Sequence, residues 1–138
     1  MNRFFVLLMS VWTLVSTCGR TPETILYKQF GIVLSSYNYS VELFNDYICP
    51  NGDGQTELLI KIEGDFEDDI ISNISQIDGI KRLPVPDSIK KFVPKVLQTA
   101  NEGYYYYERI DPEHSILDHI LFICSIDLGL IYYHELVT

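Results

Sequence analysis

The amino-acid sequence predicts an α+β fold: an antiparallel sheet of about five strands with two helices on one face, in the order ββααβββ. Three observations predict it. Two stretches alternate polar and apolar residues and are joined by a glycine-rich turn. Two further stretches repeat apolar residues at helical spacing. Three apolar and aromatic runs then close the chain, the last two joined by Asp127-Leu128-Gly129.

The first strand is read from Tyr39-Ser40-Val41-Glu42-Leu43 and the second from Thr56 to Glu63, whose even positions are expected to face the core. Pro50-Asn51-Gly52-Asp53-Gly54 lies between them, and Asn-Gly and Asp-Gly supply the positive φ angles of a tight hairpin. Before them, Ile25 to Leu34 is apolar enough to pack, but its period fits helix and strand equally. Phe66, Ile70, Ile71, Ile74 and Ile77 recur as on one helix face. Asp65, Glu67, Asp68 and Asp69 stand in its first turn, where the dipole favours negative charge, and Gly79 offers a stop. Leu83-Pro84-Val85-Pro86 reads as extended. A second helix is expected from Asp87 through Ile89, Phe92, Val93, Val96, Leu97 and Ala100, and Pro94 must kink it or begin a new one. Tyr104–Ile110, Ile116–Ser125 and Leu130–Val137 supply the last three strands.

With 138 residues, 47% of them hydrophobic, the chain can bury one core and is too short for two. Its formal charge is −9, and without its first 17 residues it keeps nine basic against nineteen acidic residues. Such a surface repels phosphate backbones, and no basic run exceeds Lys81-Arg82 or Lys90-Lys91, so no nucleic-acid partner is expected. A basic envelope or secreted protein would suit it better.

The N-terminus has its own pattern. Arg3 precedes an apolar run from Phe4 to Val15, shorter than the ~20 residues that span a bilayer, which is the layout of a secretory signal. The run ends Leu14-Val15-Ser16-Thr17-Cys18-Gly19. This resembles the lipobox of bacterial lipoproteins, with Thr17 and Val15 departing from its commonest residues. The resemblance implies a diacylglycerol on Cys18, cleavage before it and a membrane as partner. Gly19, in place of the Asp that favours inner-membrane retention, points to the outer membrane. The expected organisation is a signal peptide over 1–17, a tether over 18–24 and one domain over 25–138. The lipobox, the Asn51–Gly54 turn, the Leu83-Pro84 step, Tyr104–Tyr107 and the ending Tyr132-Tyr133-His134-Glu135-Leu136 together resemble small uncharacterised lipoproteins of bacterial genomes. That group implies an address and no activity.

Few residues suggest chemistry. Aligned as a calcium loop, Asn51 and Asp53 would put Cys49 first and Ile60 twelfth, neither a carboxylate, so the hairpin reading stands. There is no Gly-x-Ser-x-Gly, no His-Glu-x-x-His and no phosphate loop, and no cofactor or metal is expected. Cys49 and Cys124 can form one disulfide in an oxidising compartment; two free buried thiols is the other reading. Asp118 and His119 are strand neighbours that point to opposite faces, as are His134 and Glu135. His119 could meet His134 and Tyr132 across the last hairpin, a His–His–Tyr patch. Tyr104, Tyr105, Tyr106 and Tyr107 alternate in one strand, so one pair must leave the core. With Tyr132, Tyr133 and His134 they form a candidate binding face on an open sheet.

The function expected is therefore a non-enzymatic binding or inhibitor/immunity-type domain tethered to the envelope by Cys18. The alternatives are a small envelope hydrolase or metal-dependent enzyme near His119 and His134, and a structural cell-wall lipoprotein.

Overall fold

The computed structural model describes residues 20–49, 53–111, 113 and 117–138. Cys18, the signal segment, the tip of the first hairpin (50–52) and His114 lie outside them. The described residues form an α+β domain around one six-stranded antiparallel sheet. The strands are β1 (Tyr39–Ile48), β2 (Gly54–Ile62), β3 (Lys81–Arg82), β4 (Gly103–Arg109), β5 (His119–Ser125) and β6 (Leu130–Val137), and they lie in the order β1-β2-β6-β5-β4-β3.

The local signals place most of these elements. β1 and β2 pair antiparallel, with a bulge between Val41 and Leu43, and the Cys49 N–H donates to the Asp53 carbonyl at 2.6 Å. Along β2 the even residues Thr56, Leu58, Ile60 and Ile62 are buried, as their alternation requires. The turn between β5 and β6 is held by Asp127, whose carboxylate accepts from Ser125 Oγ at 2.7 Å and from the Asn101 N–H at 3.1 Å. Gly129 completes it at φ +67°.

Ile25–Leu34, undecided by period, holds helix α1 (Pro22–Phe30). Its boundaries are chemical: Thr21 and Thr24 form a capping box, Pro22 occupies the first turn, and Gly31 ends it at φ +70°. The expected tether over 18–24 is corrected at the same time, because Arg20 and Thr21 already belong to the fold. Helix α2 (Asp68–Ser75) is shorter than its apolar pattern. Glu67 stands at its N-cap position without a side-chain capping bond, Asp68 and Asp69 fill its first turn, and Ile70 and Ile74 are buried.

The second expected helix is corrected in shape and in place. Its segment forms only α3 (Asp87–Lys90) and a 3-10 turn over Lys95–Leu97, with Pro94 between them. It does not join the other helices. Leu58, Ile60, Phe122, Cys124, Ile131 and Tyr133 pack with α1 and α2 on one sheet face. Their strand neighbours Leu59, Leu121, Ile123, Leu130 and Tyr132 pack on the other, under Leu83, Val85, Ile89, Val93 and Leu97. The central strands β5 and β6 are apolar on both sides, so both sides had to be covered. The domain thus has three layers, with the sheet in the middle. Gly103 lets the chain return into it: a Cβ there, at φ +134°, would lie 2.0 Å from the Cys124 carbonyl oxygen.

Candidate functional site

The binding face expected from the tyrosines is not an open surface. Tyr105, Tyr132 and Tyr133 are buried, and Tyr104, Tyr106 and Tyr107 are half-buried. Tyr104 and Tyr106 lie under the helices, where Phe30 meets Tyr106 edge-on at 5.6 Å. Tyr105 and Tyr107 lie under the irregular segment, where Phe92 stacks on Tyr107 at 6.1 Å. Two phenols end on carboxylates two residues along their own strands, Tyr106 on Glu108 and Tyr133 on Glu135. The Glu108 carboxylate and burial push the Tyr106 phenol up to about 12. The strip was expected to face outward because the sheet was expected to have one bare side; residues 83–100 cover it.

Of the two readings of the thiols, the structure gives the free one, with Cys124 buried and Cys49 half-buried. This fold does not let Cys49 and Cys124 bridge. They belong to the ends of a β1-β2-β6-β5 row, three strand spacings or about 14 Å apart across the sheet. A disulfide tolerates about 7 Å between α-carbons. Cys124 packs in the core under α1 and α2, and burial pushes its thiol up to about 12, which leaves it an unreactive apolar residue.

The histidines do come together. In the β5–β6 register Leu121 stands opposite His134 and His119 opposite Leu136, so His119 and His134 are diagonal neighbours on one face. His119 Nε2 lies 2.9 Å from His134 Nδ1. His119 Nδ1 lies 2.6 Å from the Leu117 carbonyl, and His134 Nε2 lies 3.0 Å from Gln55 Nε2. The proton positions follow from the end of this chain. A carbonyl only accepts, so His119 carries its proton on Nδ1, and a neutral ring then accepts at Nε2. His134 must therefore donate from Nδ1, which leaves its Nε2 to accept from the Gln55 amide.

Both rings are neutral for a physical reason. His119 is wholly buried and His134 is 8% exposed, and the Phe92 ring covers His119 at 4.2 Å. Burial, followed by the charge His119 would carry, pulls His134 down to about 4. Burial lowers His119 as well, with nearby Lys91 acting in the same direction; the Leu117 carbonyl and Asp118 oppose the shift. A second added proton would set one ring N–H against the other. Asp118 is engaged elsewhere, accepting from the backbone N–H and hydroxyl of Thr138 at 3.0 and 2.7 Å.

This arrangement can hold protons in register, and its four ring nitrogens already have partners. A metal would have to displace one of them. Among the described residues no three His, Cys, Asp or Glu side chains gather as a metal site would require. A separate cleft of about 350 Å³ opens at the other end of β4, beside Arg82, Glu102 and Tyr104.

A second polar cluster was not foreseen. Arg20 Nη2 donates to Asp46 Oδ1 and to Thr56 Oγ1, both at 2.6 Å, and Nε donates to Asp46 Oδ2 at 3.2 Å. The Thr56 hydroxyl donates to Asp46 Oδ1 at 2.7 Å. The Arg20 hydrogen bonds hold the Asp46 carboxyl below the usual carboxylate range. The tether expected over 18–24 includes Arg20, which the fold instead holds on Asp46. The Thr21-Pro22 start and the Gly31 stop were the signal that the fold begins earlier. Comparison of the chain with protein-family models, with curated proteins and with solved structures finds no match.

Proposed function

We propose that this chain is a bacterial envelope lipoprotein, anchored through a lipid on Cys18 and carrying a non-enzymatic binding domain of inhibitor or immunity type. The observation that carries this reading is the apolar run ending at Ser16-Thr17-Cys18, two residues ahead of Arg20, which the fold already holds through Asp46. Among the described residues no helix is long and apolar enough to cross a membrane. Two or three acyl chains supply a stable hold where one is marginal. The outer membrane is the address favoured by Gly19. The exposed acids Asp65, Glu67, Asp68 and Asp69, in a chain of charge −9, suit a basic envelope or secreted protein.

The test has two arms. Metabolic labelling with a palmitate analogue is expected to mark the protein, and Cys18→Ala is expected to abolish the label. A label indifferent to Cys18 overturns the anchor. A basic protein captured from the envelope by the domain should be lost when the four acids are replaced by their amides; capture unchanged by that replacement overturns the electrostatic part.

The second reading, a small envelope hydrolase or metal-dependent enzyme, has the His119–His134 contact in its favour. As a general base His134 would have to take up a proton near neutral pH, against the burial that pulls it down to about 4. As a metal ligand either ring would have to give up a partner it already has.

A further inference from the structure

Beside α1 the surface is apolar where a free-standing domain would be polar. A groove of about 260 Å³ runs between the helix and the turn after it, lined by Thr24, Tyr27, Ile32, Val33 and Leu34. Tyr27 and Val33 flank it, 61% and 48% exposed. The path of the chain says what lies nearby. Arg20 is held by Asp46 and Thr56, and Cys18 precedes it by two residues, at most about 7 Å of chain. Glu23, at the near end of the groove, is at most about 15 Å of chain from Cys18. Charge agrees. Glu23 is the sole acid before Glu42, and its carboxylate accepts from the Tyr39 hydroxyl. The exposed Lys28 accompanies it, and the charge of Arg20 is already matched by Asp46. With Tyr37, Asp69 lines a neighbouring cleft, which shares Ile32 and Val33 with the groove. A surface with Lys28 as well as Glu23 is repelled less by anionic headgroups than the exposed cluster of Asp65, Glu67, Asp68 and Asp69.

We infer that this groove is the membrane-facing surface of the domain, seated on phospholipid with Tyr27 and Val33 in the headgroup region beside the lipid on Cys18. Tyrosine suits that position because its ring is apolar and its hydroxyl stays wet. The inference rests on the anchor proposed above. It adds a fixed orientation, in which the domain stands on α1 and the segment over residues 83–100, on the opposite side of the sheet, faces away.

The one tryptophan of the chain is Trp12, in the segment expected to be removed, so a tryptophan placed in the domain reports alone. Full-length Tyr27→Trp, Val33→Trp and Val96→Trp chains are each expressed, processed, purified from membranes and reconstituted. The vesicles contain phosphatidylethanolamine and phosphatidylglycerol with brominated acyl chains. Val96 is 53% exposed in the segment that would face away. Quenching several-fold deeper at positions 27 and 33 than at 96 is expected. Equal quenching at all three, or none at 27 and 33, in protein that floats with the vesicles overturns the seating and leaves the anchor standing. Flotation that does not depend on Cys18 overturns the anchor, and the seating with it.

Discussion

On the helix-covered face of the sheet, Asp46 and Thr56 meet Arg20 in an ion pair. At the adjacent residue of the same strand, on the other face, Gln55 meets His134, which in turn meets His119, with no net charge. Both clusters belong to the same end of the sheet, and both satisfy buried or half-buried polar atoms. They do so by opposite means. The Arg20 cluster keeps its charges because a bidentate guanidinium repays the carboxylate for lost water. The histidines, under Phe92, bond to each other, to the Leu117 carbonyl and to the Gln55 amide rather than to a carboxylate, and avoid charge altogether. Cover explains the difference. Arg20 arrives from the chain's outer end and stays partly solvated, whereas the histidine rings are closed in by Phe92, Tyr107 and Tyr132.

The largest expected consequence is a pH response belonging to one cluster alone. His134 has a folded value of about 4 against an ordinary 6.5. Between these values the unfolded chain binds the proton and the folded chain does not. Stability from this site is therefore complete above pH ~6.5 and falls as the pH drops toward ~4, by on the order of 3 kcal/mol. Asp46 loses its share only below the ordinary carboxylate range, so it contributes nothing to that window. Urea denaturation at a series of pH values should show the decline, and His134→Leu should remove most of its slope. An equal slope in that variant would break the contrast.

A smaller effect is expected at the charged cluster. Asp46→Ala leaves Arg20 half-buried without its carboxylate and Thr56 without its acceptor, and should cost about 2 kcal/mol. Salt sharpens this comparison: the loss should shrink at high ionic strength, whereas the histidine slope should change little. Denaturation midpoints at low and high salt measure both. The smallest effect is expected at Gln55→Leu, which removes the donor to His134 Nε2. It should cost about 1 kcal/mol, since the exposed position of Gln55 lets water replace the lost N–H. A loss as large as that of Asp46→Ala would mean that the amide closes the pair from water.

Much of this was legible along the chain. Alternation placed β2, the Asp127–Gly129 turn placed the β5–β6 hairpin, and Ile70 and Ile74 placed α2, because each depends on residues close in sequence. The histidine contact was legible as a conditional: it needed the last hairpin to bring His119 beside His134. Gln55 and Phe92 were not, because each reaches the pair from a segment whose position the hairpin does not set.

By itself, then, the sequence determined the class of the fold, the two hairpins and the alternation that puts Tyr104 and Tyr105 on opposite faces. Tertiary structure decided what each face meets. An apolar face reads the same whether it awaits a partner or the chain's own return, and only the path of residues 83–100 shows that Tyr105, Tyr107 and Tyr132 are covered from within. Strand order made the same kind of decision for the thiols. Insertion of β6 beside β2 separates Cys49 from Cys124 by two intervening strands. Local pattern carries the period of a strand, but its neighbours are chosen by which pairing buries the most apolar surface at once.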